Sequence, residues 1–256
     1  MNNQTEQKNT IVAWDIGIKN LSYCILSKTK EGCPTSYGYN IIDWEVINLY
    51  NDAEKKHICS SSNKNNKKCN HKGIYIENNV GNNVEEKVFY CKKHKTPTSV
   101  LYKPKKVKNR NPFEYATRIK QELDKRPKLQ DVDIVLVENQ PALMNPIMKS
   151  IQMMIFSYFS FLHSVEKKIE VHNVNAKRKE KLPDKDDSWI TSPYYKEYQE
   201  RIEKTKNKYT KRKLLCFYYA LLCVETSPEM KEYLMSHKKK DDLTDSLLMC
   251  LEWFSR

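Results

Sequence analysis

The N-terminal part of the chain alternates short apolar runs with turn residues. Residues 11–14 and 21–26 are apolar, and Gly17 between them gives the backbone the freedom that a tight turn needs. A third segment rich in apolar residues spans 40–49. The pattern predicts three strands, the first two joined by a tight turn.

The second half of the chain alternates helical and strand patterns. Asn-Pro pairs at 111–112 and 145–146 predict helix starts, because Asn caps a helix and Pro suits its first position. Residues 133–138, DIVLVE, are typical of a parallel strand that is buried on both faces. The remaining predicted elements are a short strand at 169–174 and two helices near 209–225 and 241–254.

The order of these elements predicts an α/β protein in which helices flank a mixed sheet. Residues 51–95 interrupt the pattern with Cys, His, Asn and Lys and few apolar residues, which indicates an insertion. Residues 176–207 are polar and highly charged, which favours a mobile arm or lid. The predicted organisation is a disordered N-terminus at 1–10, a core of 11–50 and 96–256 that includes the arm at 176–207, and an insertion at 51–95.

The net charge of the chain indicates what kind of partner it binds. Its 256 residues carry a net charge of +13 and a pI near 9.2, which favours a polyanionic partner, either nucleic acid or an anionic membrane. No apolar run approaches the roughly 18 residues of a membrane span, and the polar start MNNQTEQKNT lacks the apolar core of a secretory signal. We therefore expect a soluble intracellular protein with cysteines that are reduced thiols or metal ligands. Of the two kinds of anionic partner, we expect nucleic acid and no membrane.

Four carboxylates stand on the predicted core elements. Asp15 interrupts the first apolar stretch, and Glu138 ends the strand DIVLVE. Asp242 and Asp245 lie three apart on the last helix, so they share one of its faces. Each acid alone has a plainer explanation, such as a turn residue or an acid at a helix N-terminus. Together they predict one acidic site.

Such a site indicates bound metal. Clustered carboxylates repel one another or take up protons, and divalent cations remove that cost. Oxygen ligands select Mg²⁺ or Mn²⁺, and two such ions about 4 Å apart can activate a water and stabilise the leaving oxygen in phosphodiester hydrolysis. An acidic pocket on a basic protein therefore predicts a metal-dependent nuclease.

The sequence around these acids resembles the RuvC-type Holliday junction resolvases of the ribonuclease H-like superfamily. The motifs are Asp15 in DIGIKN, Glu138 in ENQP, and the pair Asp242 and Asp245 in DLTD. ENQP followed by a long hydrophobic helix is most similar to the branch found in poxviruses and other large DNA viruses, with mitochondrial relatives in fungi. The resemblance covers the core, roughly residues 10–50 and 111–254, and leaves out the insertion.

The resemblance implies a ribonuclease H-like fold, a homodimer, and Mg²⁺-dependent symmetric nicking of four-way DNA junctions. It implies that the four acids are the metal ligands. A viral member would act in the host cytoplasm or nucleus, where viral DNA is replicated. Two basic runs beside the acidic site are expected to contact DNA phosphates, although a charge run is often only a solvated face. These runs are Lys211, Arg212 and Lys213, and Lys238, Lys239 and Lys240.

The insertion contains a possible zinc site. Its candidate ligands are Cys59, Cys69, Cys91 and His94, with His71 and His57 as possible substitutes. Cys91-x-x-His94 is a typical close pair of ligands, whereas the nine residues between Cys59 and Cys69 exceed the spacing of a standard finger. A segment this polar cannot form its own core, so a metal is the expected staple. The alternative is three unrelated thiols in a loop.

Two other functions fit parts of the same sequence. Another ribonuclease H-like nuclease, cutting RNA–DNA hybrids, flaps or single strands, would use the same four acids. A zinc-containing protein that binds nucleic acid without catalysis would explain the charge and the cysteines, but not four carboxylates at one site.

Overall fold

The computed structural model describes residues 10–28, 38–50, 57–62, 66–81, 84–103, 110–164 and 167–256. The chain forms two compact units, Met1–Leu49 with Asn111–Arg256, and Tyr50–Arg110. The disordered N-terminus predicted for 1–10 lies outside the described residues, except for Thr10, which begins the first strand.

The larger unit is built on a five-stranded mixed sheet. Its strands are β1 (Thr10–Asp15), β2 (Asn20–Lys28), β3 (Tyr39–Asn48), β7 (Ile134–Glu138) and β8 (Glu170–Val174), and the smaller unit contributes β4 (Tyr75–Gly81), β5 (Val84–Tyr90) and β6 (Val100–Leu101). The order across the larger sheet is β3-β2-β1-β7-β8. The first three strands pair antiparallel, whereas β7 runs parallel to β1 and β8 runs parallel to β7. This confirms the predicted mixed sheet.

Helices flank this sheet. They are α1 (Pro112–Asp124), α2 (Pro146–Leu162), α3 (Asp187–Thr191), α4 (Pro193–Glu203), α5 (Lys208–Cys223), α6 (Pro228–Ser236) and α7 (Lys240–Phe254). The predicted Asn-Pro starts are confirmed for two of them. Asn111 accepts a hydrogen bond from the Glu114 amide at 2.8 Å, and Asn145 accepts one from the Met148 amide at 3.3 Å. Within the described ranges, no helix is long and apolar enough to cross a membrane.

Helix α7 is fixed over the antiparallel strands by polar contacts as well as apolar packing. The indole Nε1 of Trp44 donates to the Leu243 carbonyl at 3.0 Å. The hydroxyls of Ser22 and Ser246 lie 3.2 Å apart, both buried. Directional hydrogen bonds fix the helix along its own axis, which apolar packing alone does less well. The start of α7 is therefore held at one position above the sheet.

The prediction that residues 176–207 form a mobile arm or lid is wrong. This segment folds into two short 3₁₀ helices, at Ala176–Lys181 and Pro183–Lys185, followed by α3 and α4. Trp189, only 4% exposed, packs its ring 5.7 Å from that of Tyr219 on α5. The aromatic residues scattered among the charges pack against the core. They keep the segment folded although most of its residues are polar.

The smaller unit is a hairpin with two loops. Strands β4 and β5 pair antiparallel, and β6 pairs with β4, so the unit continues beyond residue 95. Isolated bridges join Ile58 to Lys72 and Ser62 to Lys68. Gly73 lies against the hairpin so closely that an added Cβ would meet the Phe89 Cβ at 2.7 Å. Only glycine fits this approach of the two backbones.

Candidate active site and candidate metal centre

Asp15 and Glu138 stand at the carboxyl ends of two neighbouring parallel strands. Trp14 on β1 pairs with Val137 on β7, so the next residue on each strand is one of the two acids. Their carboxyl groups lie within hydrogen-bond reach of each other. Ligands of open α/β sheets bind at this kind of strand end, where loops leave a crevice.

Helix α7 adds the acids of its first turns. Asp245 faces Glu138 and contributes to the electrostatic environment of Asp15. Asp242, one turn earlier, hydrogen-bonds Asn20 and lies next to Asp241. All four predicted acids line a cleft of about 380 Å³, which we call the acid cleft. Its other lining residues include Gln140, Lys177, Lys179, Tyr209, Arg212, Lys213 and Asp241.

Lys179 completes the site, and sequence reasoning missed it. It lies on the first 3₁₀ helix of the segment that was expected to be mobile. Its side chain is 6% exposed, and its Nζ lies 2.9 Å from Oδ1 of Asp245. The run AKRKEK contains four cations within six residues, and nothing in the sequence shows which one points inward. Its partner acids would have been the only signal.

The acids strongly perturb one another. Burial raises the pKa of Asp15 well above its usual range, and the hydrogen bond and negative charge of Glu138 raise it further. Burial also raises the pKa values of Asp242 and Asp245, with Lys179 opposing the shift at Asp245. Burial alone would lower the pKa of Lys179, but the charges of Asp245 and Asp15 outweigh it and raise that pKa. Burial and mutual repulsion therefore both disfavour the charged forms of these acids.

The loop after Glu138 is supported from below by a buried amide. Gln152 on α2 is fully buried, and its Oε1 accepts a hydrogen bond from the Gln140 amide at 3.0 Å. Its Nε2 donates to Asn173 on β8. The Asn139 amide donates to the Val174 carbonyl at 2.9 Å. These bonds fix the turn that leads out of β7, and with it the direction of Glu138.

Only part of the first predicted basic run reaches the acid cleft. Arg212 and Lys213 line it, and Lys213 is ion-paired with Asp241. The Arg212 guanidinium lies 3.7 Å from Glu180. Lys211 is half-buried on the same helix and is not among the residues that line the cleft.

The second basic run lies at the start of α7. Lys238 and Lys239 are exposed, and the charge of Lys239 lowers the pKa of Asp242 against the effect of burial. Lys240 instead donates from Nζ to the His237 carbonyl at 2.8 Å. Lys239 is thus close to the predicted acids, while Lys240 braces the turn before the helix.

The predicted zinc ligands of the smaller unit also come together. One ligand atom from each of four residues lies within 4.8 Å of all the others, and we call this group the Cys/His cluster. Its members are Cys59, Cys69, Cys91 and His94. The three thiols are free and buried. The arrangement can bind a metal ion with soft and imidazole ligands.

Comparison with known proteins gives a viral relative and structural neighbours. No family model matches the chain. An uncharacterised protein of Acanthamoeba polyphaga mimivirus, L451, is 25% identical over 313 aligned residues, which cover 93% of this chain and 72% of that protein.

Two of the structural neighbours are Holliday junction resolvases, the family that the motifs resemble. The yeast mitochondrial resolvase Ydc2 matches 96% of this chain and 79% of its own, with a TM-score of 0.47 and 15% identity. The fowlpox virus resolvase, solved with Holliday junction DNA, matches 96% and 97%, with a TM-score of 0.46 and 14% identity.

Proposed function

We propose that this protein is a Mg²⁺-dependent endonuclease that resolves four-way DNA junctions with symmetric nicks. One observation carries the proposal. Asp15, Glu138 and Asp245 converge at the carboxyl edge of a parallel strand pair, with the buried ammonium of Lys179 beside them. This arrangement belongs to a protein of net charge +13, which suits a polyanionic substrate.

The acid cleft fits divalent cations. Its donors are carboxylate oxygens, which suit Mg²⁺ or Mn²⁺. Burial and neighbouring carboxylates raise the pKa values of Asp15 and Asp245, a cost that bound divalent cations would offset. The ligands would be Asp15, Glu138, Asp242 and Asp245. When bound, a pair of such ions would supply a water activated for attack and a stabilised leaving oxygen at a phosphodiester.

The chain's own residues position the substrate and hold the acids. Lys179 favours the charged form of Asp245 by its ion pair, and as a buried cation it would stabilise negative charge that develops on the phosphate. Arg212 and Lys213 at the cleft lining would contact flanking phosphates. Because Lys213 already pairs with Asp241, an arriving phosphate would exchange with that carboxylate.

Two symmetric nicks require two active sites, so we propose that the protein acts as a homodimer. An apolar groove between α1 and α2 supports this part of the proposal. Its lining includes Met153, Tyr158 and Phe161, and the Phe161 side chain is 87% exposed. An exposed apolar groove of this kind favours a protein partner. DNA as the substrate also favours an intracellular place of action.

Cleavage of an immobile four-way junction, labelled on each strand in turn, tests the substrate. Matched duplex and RNA–DNA hybrid run beside it, with Asp245→Asn as the inactive variant. Asp131→Asn is the control, since that acid is 87% exposed and stands before β7, at the opposite end from Glu138. We expect paired, symmetric, ligatable nicks in the junction alone. Cutting of the hybrid instead would mean that the substrate is RNA–DNA hybrid and not the junction. Binding without cutting in either Mg²⁺ or Mn²⁺ would contradict a nuclease function.

A further inference from the structure

We infer that Cys59, Cys69, Cys91 and Nδ1 of His94 bind one structural Zn²⁺ ion, and that this ion holds the smaller unit together. The inference is independent of the proposed nuclease, because it concerns a different unit and a different kind of ligand.

The distances between the ligand atoms fit a tetrahedral site. Nδ1 of His94 lies 3.5 Å from Sγ of Cys59 and 3.5 Å from Sγ of Cys91, and the Sγ atoms of Cys69 and Cys91 are 4.0 Å apart. Zinc with Zn–S near 2.3 Å and Zn–N near 2.0 Å has tetrahedral edges of about 3.5 Å for S···N and about 3.8 Å for S···S. A disulfide would need about 2.05 Å between sulfurs.

Backbone amides donate hydrogen bonds to two of the ligand sulfurs. The amides of Ser61 and Cys91 donate to the sulfur of Cys59, and the His71 amide donates to the sulfur of Cys69. In both loops the donor stands two residues after the cysteine, so the chain folds the same way around each sulfur. Donated N–H bonds stabilise negative charge on a ligand and fix its direction, as the surroundings of metal ligands commonly do.

The structure also selects among the three histidines of the unit. His57 is occupied by ring contacts, stacked 3.6 Å from Phe89 and edge-on to Tyr102. His71 brings Nδ1 within 3.4 Å of Sγ of Cys69, but it does not belong to the group of mutually close atoms. His94 alone is close to two sulfurs at once, which identifies it as the fourth ligand.

The smaller unit needs a metal because it has little else to hold it. In the described parts of 57–103, the buried residues of the apolar class are the three cysteines of the cluster. Its sheet is one hairpin extended by the two-residue strand β6, and a small sheet without an apolar face is marginally stable in water. The two single bridges add little. A metal bound by both loops and by the end of β5 would link the whole unit, as in small domains that fold only with zinc.

The ligand set favours zinc over the ions proposed for the acid cleft. Three thiolates and an imidazole suit Zn²⁺, whereas Mg²⁺ prefers oxygen ligands. Four protein ligands close the coordination shell, which is typical of structural rather than catalytic zinc. Three thiolates give the site a net charge of −1, and Lys92 and Lys93 between the last two ligands offset it.

Metal analysis of the full-length protein tests the inference. We expect about one zinc per chain after purification, and Co²⁺ substitution should give the visible spectrum of tetrahedral thiolate coordination. His94→Ala and Cys69→Ser should lose the spectrum or lower metal affinity at least about 10-fold. His71→Ala is the matched control and should keep both.

Limited proteolysis supplies a readout that does not depend on variants. Removing the metal from the wild type with a chelator should expose sites within 57–103 while the larger unit stays intact. Absence of zinc and of the cobalt spectrum in the wild type, or loss in His71→Ala with retention in His94→Ala, would overturn the assignment. Uniform proteolysis with and without metal would overturn the structural role.

Discussion

The acid cleft and the Cys/His cluster each gather four predicted ligands from distant parts of the sequence, but they rest on different supports. Asp15 and Glu138 end strands whose neighbouring residues are fully buried, and α7 is pinned to the same sheet by hydrogen bonds. Among the described residues of the smaller unit, the cluster has no comparable core around it. The fold therefore holds the acids together against their repulsion, whereas the metal would hold the cysteines together.

Because the two sites are held together differently, we expect them to respond differently to removal of their metal ions. Removing metal from the acid cleft should stop chemistry and leave the fold, while removing it from the Cys/His cluster should unfold the smaller unit. A substitution in the acid cleft should therefore lower cleavage without unfolding the smaller unit. A substitution that produced both effects would contradict this difference.

Asp15→Asn should have the largest effect. Loss of this carboxylate removes a metal ligand and a fixed charge at the reacting phosphate, so cleavage should fall at least about 10³-fold, or roughly 4 kcal/mol of barrier. Junction affinity should stay the same or rise, because a negative charge next to DNA is lost. Single-turnover cleavage and equilibrium binding, with Asp131→Asn as control, measure the two quantities. An equal loss of binding and cleavage would contradict a catalytic role.

Lys179→Met should come next. It leaves the Asp245 carboxylate without its buried cation, and breaking a buried pair costs about 3 kcal/mol or less where solvent reaches one partner. Cleavage should fall about 10²-fold, as for loss of one preorganised donor. Lys177→Met is the matched control, because Lys177 lines the same cleft but is exposed. Equal losses in the two variants would show that Lys179 acts only as one more surface charge.

The pH dependence should be moderate and should respond to metal. The pKa of Asp15 is raised in the folded protein, so without divalent ions the folded state holds its proton more tightly than the unfolded state does. That contribution to stability is present at low pH and is lost as pH rises through the folded pKa. Asp15→Asn should lack this dependence in denaturant titrations.

The same protonation should limit activity. Metal binding requires the deprotonated acids, so cleavage should rise with pH, and more Mg²⁺ should move the profile to lower pH. Rates measured across pH at two Mg²⁺ concentrations check this. A profile that does not move with Mg²⁺ would indicate that the titrating group is not a metal ligand.

Arg212→Ala should have the smallest effect. As a phosphate contact at the cleft it should weaken junction binding a few-fold and reduce the salt slope of the logarithm of affinity by about 1. Lys128→Ala is the control, since Lys128 stands before β7, away from the carboxyl edge of the sheet. Binding titrations over a range of salt would contradict the assignment if both variants changed alike.

The sequence predicted the elements whose apolar pattern is strong. The runs at 11–14, 21–26 and 133–138 became β1, β2 and β7, and both Asn-Pro pairs became helix starts. The placement of α3, α4 and α6 was missed, because their anchoring aromatic residues are few and lie among many charges. Apolar periodicity reports on a face that is mostly apolar, and these helices lack one.

The residues of the acid cleft could be predicted only in part from the sequence, for a related reason. Acids that end apolar strands stand out from their surroundings, so the sequence pointed to Asp15 and Glu138, which the structure places side by side. Lys179 lies in a run of cations, where only tertiary packing selects the inward one. Likewise, the choice of His94 over His71 depends on the distance from each ring to two sulfurs, which spacing along the chain does not contain.

Junction cleavage by protein of known zinc content, dialysed free of Mg²⁺ without a chelator, tests whether the catalytic metal is bound by the acid cleft. We predict that cleavage disappears while zinc content and protease resistance of the smaller unit stay unchanged, and that added Mg²⁺ restores cleavage. Cleavage that persists without Mg²⁺ and is lost when zinc is removed would contradict the account, because it would place the catalytic metal at the cysteines instead of the acids.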